Sequence, residues 1–102
     1  MVEKARIKKS RDLPEIICRA AVQIVIEATD RYLPHSTSRI QFYGQVADYV
    51  RDRLEAMANG RWAVFVCQEG AMTASDKKGY AIIQCQINST EVFASIIVKC
   101  SD

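Results

Sequence analysis

Histidine occurs once in this sequence of 102 residues, proline twice and glycine four times. A single histidine, His35, leaves few nitrogen ligands for a metal site and one candidate base for acid–base chemistry. The four cysteines, Cys18, Cys67, Cys85 and Cys100, form no CxxC pair, which excludes zinc-ribbon and thioredoxin spacing. No GxGxxG, no phosphate-cradling glycine loop with lysine and no HExxH is present. Unbroken apolar runs fall far short of the roughly 20 residues that a membrane-spanning helix needs. A secretory leader is not expected either, because Lys4, Arg6, Lys8 and Lys9 fall where its apolar segment would lie. The Asn88-Ser89-Thr90 sequon therefore carries no weight, and the cysteines read as buried free thiols. With 14 Lys+Arg against 12 Asp+Glu the net charge is +2, too small for a strong whole-protein field on nucleic acid.

What is present suits one small domain over residues 1–102. Apolar residues make up 49% of the chain and charged residues 25%, a balance that excludes disorder. A chain of this length hides about 65% of its unfolded surface, enough for a core without disulfide or metal. Charge is uneven: residues 1–11 hold Lys4, Arg6, Lys8, Lys9 and Arg11 against Glu3. Such an arm can touch phosphate or an acidic partner. Ala5-Arg6-Ile7-Lys8-Lys9 also alternates like an edge strand whose lysines discourage aggregation, and that is the preferred reading.

Asp12-Leu13-Pro14-Glu15 predicts a helix start, with Asp12 as the capping oxygen and proline in the first turn. Ile16, Ile17, Ala20, Ala21, Ile24 and Ala28 form one apolar stripe, with Glu15–Arg19 and Glu27–Arg31 paired four residues apart. The helix ends at Tyr32-Leu33-Pro34. Residues 33–42 read as a loop containing a solvated His35. A second helix is expected over about 44–58, with Val46, Val50, Leu54 and Met57 inward, Arg51–Glu55 paired, and a stop at Asn59-Gly60. Trp62-Ala63-Val64-Phe65-Val66-Cys67 is apolar on both faces and predicts a strand covered on two sides. A weak strand follows over 71–74. Residues 80–87 alternate, with Ala81, Ile83, Cys85 and Ile87 on one face. Residues 92–99 alternate again, with Val92, Ala94, Ile96 and Val98 expected inward. Helices followed by strands give an α+β fold: a short N-terminal strand, two helices and an antiparallel sheet of about four strands. A thiol enzyme using His35 is the sharpest catalytic reading, but too little of its constellation is in place, and no cofactor is expected.

The order of several blocks resembles the eight-kilodalton dynein light chains. They are Ala5-Arg6-Ile7-Lys8-Lys9, Glu27-Ala28-Thr29-Asp30-Arg31-Tyr32, Val46-Ala47-Asp48-Tyr49-Val50-Arg51 with Leu54-Glu55, Asn59-Gly60-Arg61-Trp62, and Phe93-Ala94-Ser95-Ile96-Ile97-Val98-Lys99. The resemblance implies a non-catalytic, strand-swapped homodimer that binds extended client segments by strand addition, and dimeric clients by avidity. The implied partner is a dynein intermediate chain or another protein with an extended segment, with no nucleic acid and no membrane. The implied location is the cytoplasm, on microtubules or in the axoneme of a cilium. A motor-independent dimeric scaffold is the alternative within the same class.

Carried over by position, the client groove would involve Gly44 and Gln45 at the second helix and the swapped strand of Ala71, Met72, Thr73, Ala74, Ser75 and Asp76. The dimer interface would involve Ala63, Ser75, Tyr80, Ile83 and Cys85. This sequence departs from the family at Gly70, Thr73, Asp76, Ile83 and Cys85. Ala63 stands where the family has an interface histidine, so pH-dependent dissociation through that ring is not expected.

Overall fold

The computed structural model describes residues 4–68 and 79–101. The chain runs β1 (Lys4–Arg11), α1 (Glu15–Tyr32), a 3-10 turn (Leu33–His35), α2 (Arg39–Met57), β2 (Arg61–Cys67), β3 (Gly79–Gln86) and β4 (Val92–Ser101). This is the expected α+β architecture. The described strands form one antiparallel sheet in the order β1-β3-β4-β2. Both helices pack on the same side, α1 over β1 and β3, and α2 over β2.

The strand-to-helix corner differs from expectation. Asp12 makes no cap: it turns the chain in a left-handed conformation (φ 58°), which aspartate tolerates better than most residues, and the N-cap residue is Pro14. The buried stripe of α1 is Cys18, Ala21, Ile24, Val25, Ala28 and Thr29, and Ile16 is 74% exposed. Thr29 is tolerated because its hydroxyl donates back to the Val25 carbonyl at 2.8 Å.

Helix α2 starts five residues before the expected Gly44, so the expected loop shrinks to the 3-10 turn and 36–38. Its start is chemically specified. Ser38 caps it by accepting from the Gln41 backbone N–H at 3.1 Å, and Gln41 Oε1 reaches back to accept from the Thr37 N–H at 2.7 Å. This is a variant of the capping box, shifted by one residue on the return contact. The early start places Phe42 in the core, edge-to-face with Phe93 at 5.4 Å, a pairing worth about 0.5–1.5 kcal/mol beyond its buried area. Met57, expected in the core, is instead exposed.

Of the expected helix ion pairs, Glu15–Arg19 forms at 2.7 Å. Glu27 instead accepts from Arg53 of α2 at 3.0 Å, while Arg31 lies over the rings of Tyr32 and Tyr49. Arg51 turns to Asp52 and Asp48, and Glu55 accepts from the Trp62 backbone N–H. Glu27 and Glu55 thus take partners from other elements, whereas Arg51 keeps local ones.

The sheet has two apolar faces. Toward the helices lie Trp62, Ala81, Ile83, Cys85, Ile87, Phe93 and Ile97, together with buried Ser95. Tyr80, Ile82, Ala94, Ile96 and Val98 form a second cluster on the opposite face, joined by Ala63 and Cys67. Of the β4 residues expected inward, Ala94, Ile96 and Val98 are indeed buried, but on the face opposite the helices, and Val92 is partly exposed. The reason is that β4 is apolar on both faces, so alternation carries no information about which side meets the helices.

Candidate partner-binding edge

The described sheet has two outer strands, β1 and β2, and they differ in how an approaching strand would meet them. β1 is rich in lysine and arginine, the usual protection of an edge. β2 has Arg61 at its start and then six apolar residues. Its Trp62 is 4% exposed and packs toward the helices, whereas Phe65 is 57% exposed on the opposite face. The expectation that β2 is covered on both sides therefore fails at Phe65. Among the described residues β2 ladders with β4 only, from Trp62 opposite Lys99 to Cys67 opposite Ala94. An edge with an exposed aromatic and no internal charge can accept another strand.

The expected site residues separate into groups. Ala63 and Tyr80 share the sheet face away from the helices: Ala63 stands opposite Val98 on β4, which in turn stands opposite Tyr80 on β3. Ile83 and Cys85, expected beside them at a dimer interface, lie on the helix face instead and are fully buried there. Cys85 meets Thr29 of α1, with sulfur and hydroxyl 4.0 Å apart. The alternation of β3 forces this split, since odd and even positions point to opposite sides. Gly44 is exposed on α2, and a Cβ placed there meets nothing within 4 Å. Gln45 is already engaged, its Oε1 accepting from the Ser36 hydroxyl at 2.8 Å, so it closes the turn into α2. Ala71, Met72, Thr73, Ala74, Ser75 and Asp76 lie outside the described residues.

The composition pattern did not disclose a clasp at the start of α2. Arg39 donates through Nη2 to Glu91 Oε1 at 2.8 Å and through Nε to Oε2, joining α2 to the turn between β3 and β4. Asn88 shapes that turn, its Oδ1 accepting from the backbone N–H groups of Thr90 and Glu91 at 2.9 and 3.0 Å. The hydrogen bond to Arg39 holds the Glu91 carboxyl below its ordinary range, and the same bond raises Arg39. Beside the clasp, burial pushes the Tyr43 phenol up, with the Glu91 charge adding to it. Tyr43 packs against Phe93 with ring centroids 5.8 Å apart. The residue pattern Ser38-x-x-Gln41 was the available signal for this helix start.

The four thiols differ in exposure. Cys18 and Cys85 are buried, Cys67 is half-buried and Cys100 is exposed. Burial pushes the Cys85 thiol up to about 11, the opposite of an activated nucleophile. His35 is exposed in the 3-10 turn. Among the described residues no group of three His, Cys, Asp or Glu side chains is placed to hold a metal ion, and no helix is long and apolar enough to cross a membrane. Compared with family models and with curated proteins, the chain matches none.

Proposed function

We propose that this chain is a non-catalytic, dimerising module of the dynein light chain type, which takes extended partner segments by strand addition at its β2 edge. The observation that carries this reading is the contrast between the two outer strands. β1 is guarded by charge, whereas β2 is apolar from Trp62 to Cys67 with Phe65 exposed. A strand laid along the outer side of β2 gains main-chain hydrogen bonds, and Phe65 gains a neighbour. The element order of one strand, two helices and a closing sheet is the order that the resemblance in sequence implies. The partner class is an intermediate chain of a motor complex or a similar extended segment, met on microtubules in the cytoplasm or an axoneme. Two such edges in a dimer would bind a dimeric client by avidity.

Sedimentation of the purified protein at micromolar concentration tests the dimer, and a strict monomer overturns it. Titration with an intermediate-chain segment tests the edge. Phe65→Lys is expected to leave the fold intact and to weaken that binding at least about tenfold, as charge guards an edge. Unchanged affinity in the variant moves the site away from β2.

A further inference from the structure

The opposite edge carries a feature that the β2 reading leaves unused. β1 holds five basic residues, Lys4, Arg6, Lys8, Lys9 and Arg11, and no acid. In a regular strand Arg6 and Lys8 would point to one face, and Lys9 and Arg11 to the other. The pairing of β1 with β3 breaks between Ile7 and Lys9. Before the break Arg6 stands opposite Gln84; after it Lys9 stands opposite Ile82 and Arg11 opposite Tyr80. Gln84, Ile82 and Tyr80 alternate along β3 and share the face away from the helices. One extra residue, Lys8, therefore brings Lys9 and Arg11 round to the face that Arg6 occupies. Re-aiming side chains is what a β-bulge does.

The gathered cations border a built surface. Arg6 Nη2 donates to Gln84 Oε1 at 2.9 Å, and Lys9 Nζ lies 6.0 Å from the centre of the Tyr80 ring. Two adjoining concavities of about 400 and 130 Å³ open inboard of β1, the larger lined by Lys8, Gln84, Thr90 and Val92 to Ala94 of β4, the smaller by Arg6, Gln84, Gln86 and Val92. Among the described residues the ion pair made by β1 is Arg11 with Asp12 at 3.8 Å, both exposed. Arg6, Lys8 and Lys9 meet no carboxylate among the described residues.

We propose that β1 forms a second docking edge, for an extended acidic segment of a partner protein. The segment lies along the outer side of β1 with its backbone laddered. Its carboxylates meet Arg6, Lys8, Lys9 and Arg11. The same charges that repel a neutral strand or a second copy of β1 admit a strand of opposite sign, so guarding the edge and choosing the partner are one property. A peptide is favoured over a nucleic acid because Tyr80, the ring beside these cations, is 1% exposed and unable to stack on a base.

The test is fluorescence anisotropy on the whole chain, with a labelled peptide of about ten residues alternating glutamate and threonine. Its controls are a glutamine-for-glutamate twin, a version N-methylated at alternate residues, and a short single-stranded oligonucleotide. The acidic peptide is expected to bind at least about tenfold tighter than the twin and to weaken as salt rises. The double variant R6E/K9E is expected to lose about tenfold, with R6K/K9R retaining the affinity. Circular dichroism checks the fold, and R6Q/K9Q replaces the reversed pair if that pair does not fold. Phe65→Lys leaves this binding unchanged, which separates it from the β2 site. Equal binding of the acidic peptide and its glutamine twin overturns the proposal, as does an affinity indifferent to charge reversal. Equal binding of the N-methylated version removes strand addition, and tighter binding of the oligonucleotide replaces the peptide with a polyanion.

Discussion

Two glycines illustrate how much one hydrogen-for-methyl exchange depends on its surroundings. Gly79 opens β3 at φ 150°, and a Cβ there would lie 2.5 Å from the Asp12 carbonyl oxygen and 2.8 Å from Leu13 Cδ2. The neighbour is backbone, held by the same left-handed corner at Asp12 that joins β1 to α1. Neither side can yield cheaply, so Gly79→Ala is expected to destabilise by on the order of 3 kcal/mol. Gly44 is the opposite case, exposed in the interior of α2 with open space around it. Gly44→Ala is expected to stabilise by about 0.5–1 kcal/mol, because alanine loses less conformational freedom in a helix. Urea denaturation reads both, as shifts in midpoint at constant slope. A tolerated Gly79→Ala would show that the corner and β3 are not interlocked.

At the scale of elements, α2 is fixed at its start by three different devices: the Ser38 cap, the Phe42–Phe93 contact and the Arg39–Glu91 clasp. The clasp is bidentate but partly exposed, at 45% for the Arg39 side chain and 23% for Glu91. A double-mutant cycle with Arg39→Ala and Glu91→Ala is therefore expected to give a coupling of about 0.5–1 kcal/mol that shrinks with salt. Zero coupling would leave the cap and the aromatic pair as the fasteners. These devices also mark how far the sequence could be read. The cap was legible, since Ser38 and Gln41 have the spacing of a capping box, yet the turn formers around them suggested a loop instead. The clasp was not legible, because its partners stand 52 residues apart and no local pattern links them. Strand existence followed from alternation and β-branched content, but the facing of β4 did not. Phe93 and Ile97 on one side and Ile96 and Val98 on the other are equally apolar. The same alternation correctly grouped Ile83 with Cys85 on one face of β3. The resemblance to the dynein light chains implies an interface for both, whereas the fold puts the helices there.

For the whole molecule, the perturbed groups set how stability varies with pH. Glu91 is held below its ordinary value of 4.5 by Arg39, so its contribution is present above that value and is lost as the pH falls through its lowered folded value. Cys85 is pushed from 9.0 to about 11, chiefly by burial. Below 9.0 the thiol is protonated in both states and nothing is lost. Between 9.0 and about 11 the unfolded chain releases the proton while the folded chain keeps it, so the native state binds more protons and stability falls as pH rises. Tyr43, raised from 10.0 by burial, adds to the same decline at higher pH. A plateau is expected between these flanks. Cys85→Ala removes the thiol and leaves a small cavity, so its absolute stability falls at every pH, but its alkaline slope should be shallower. The wild-type chain is expected to lose about 2 kcal/mol more than the variant on going from pH 9 to pH 11. Chemical denaturation at each pH measures the difference. Two parallel curves would mean that the strand carrying Cys85 lets water reach the sulfur, and that the seam between β3 and α1 opens more readily than its full burial implies.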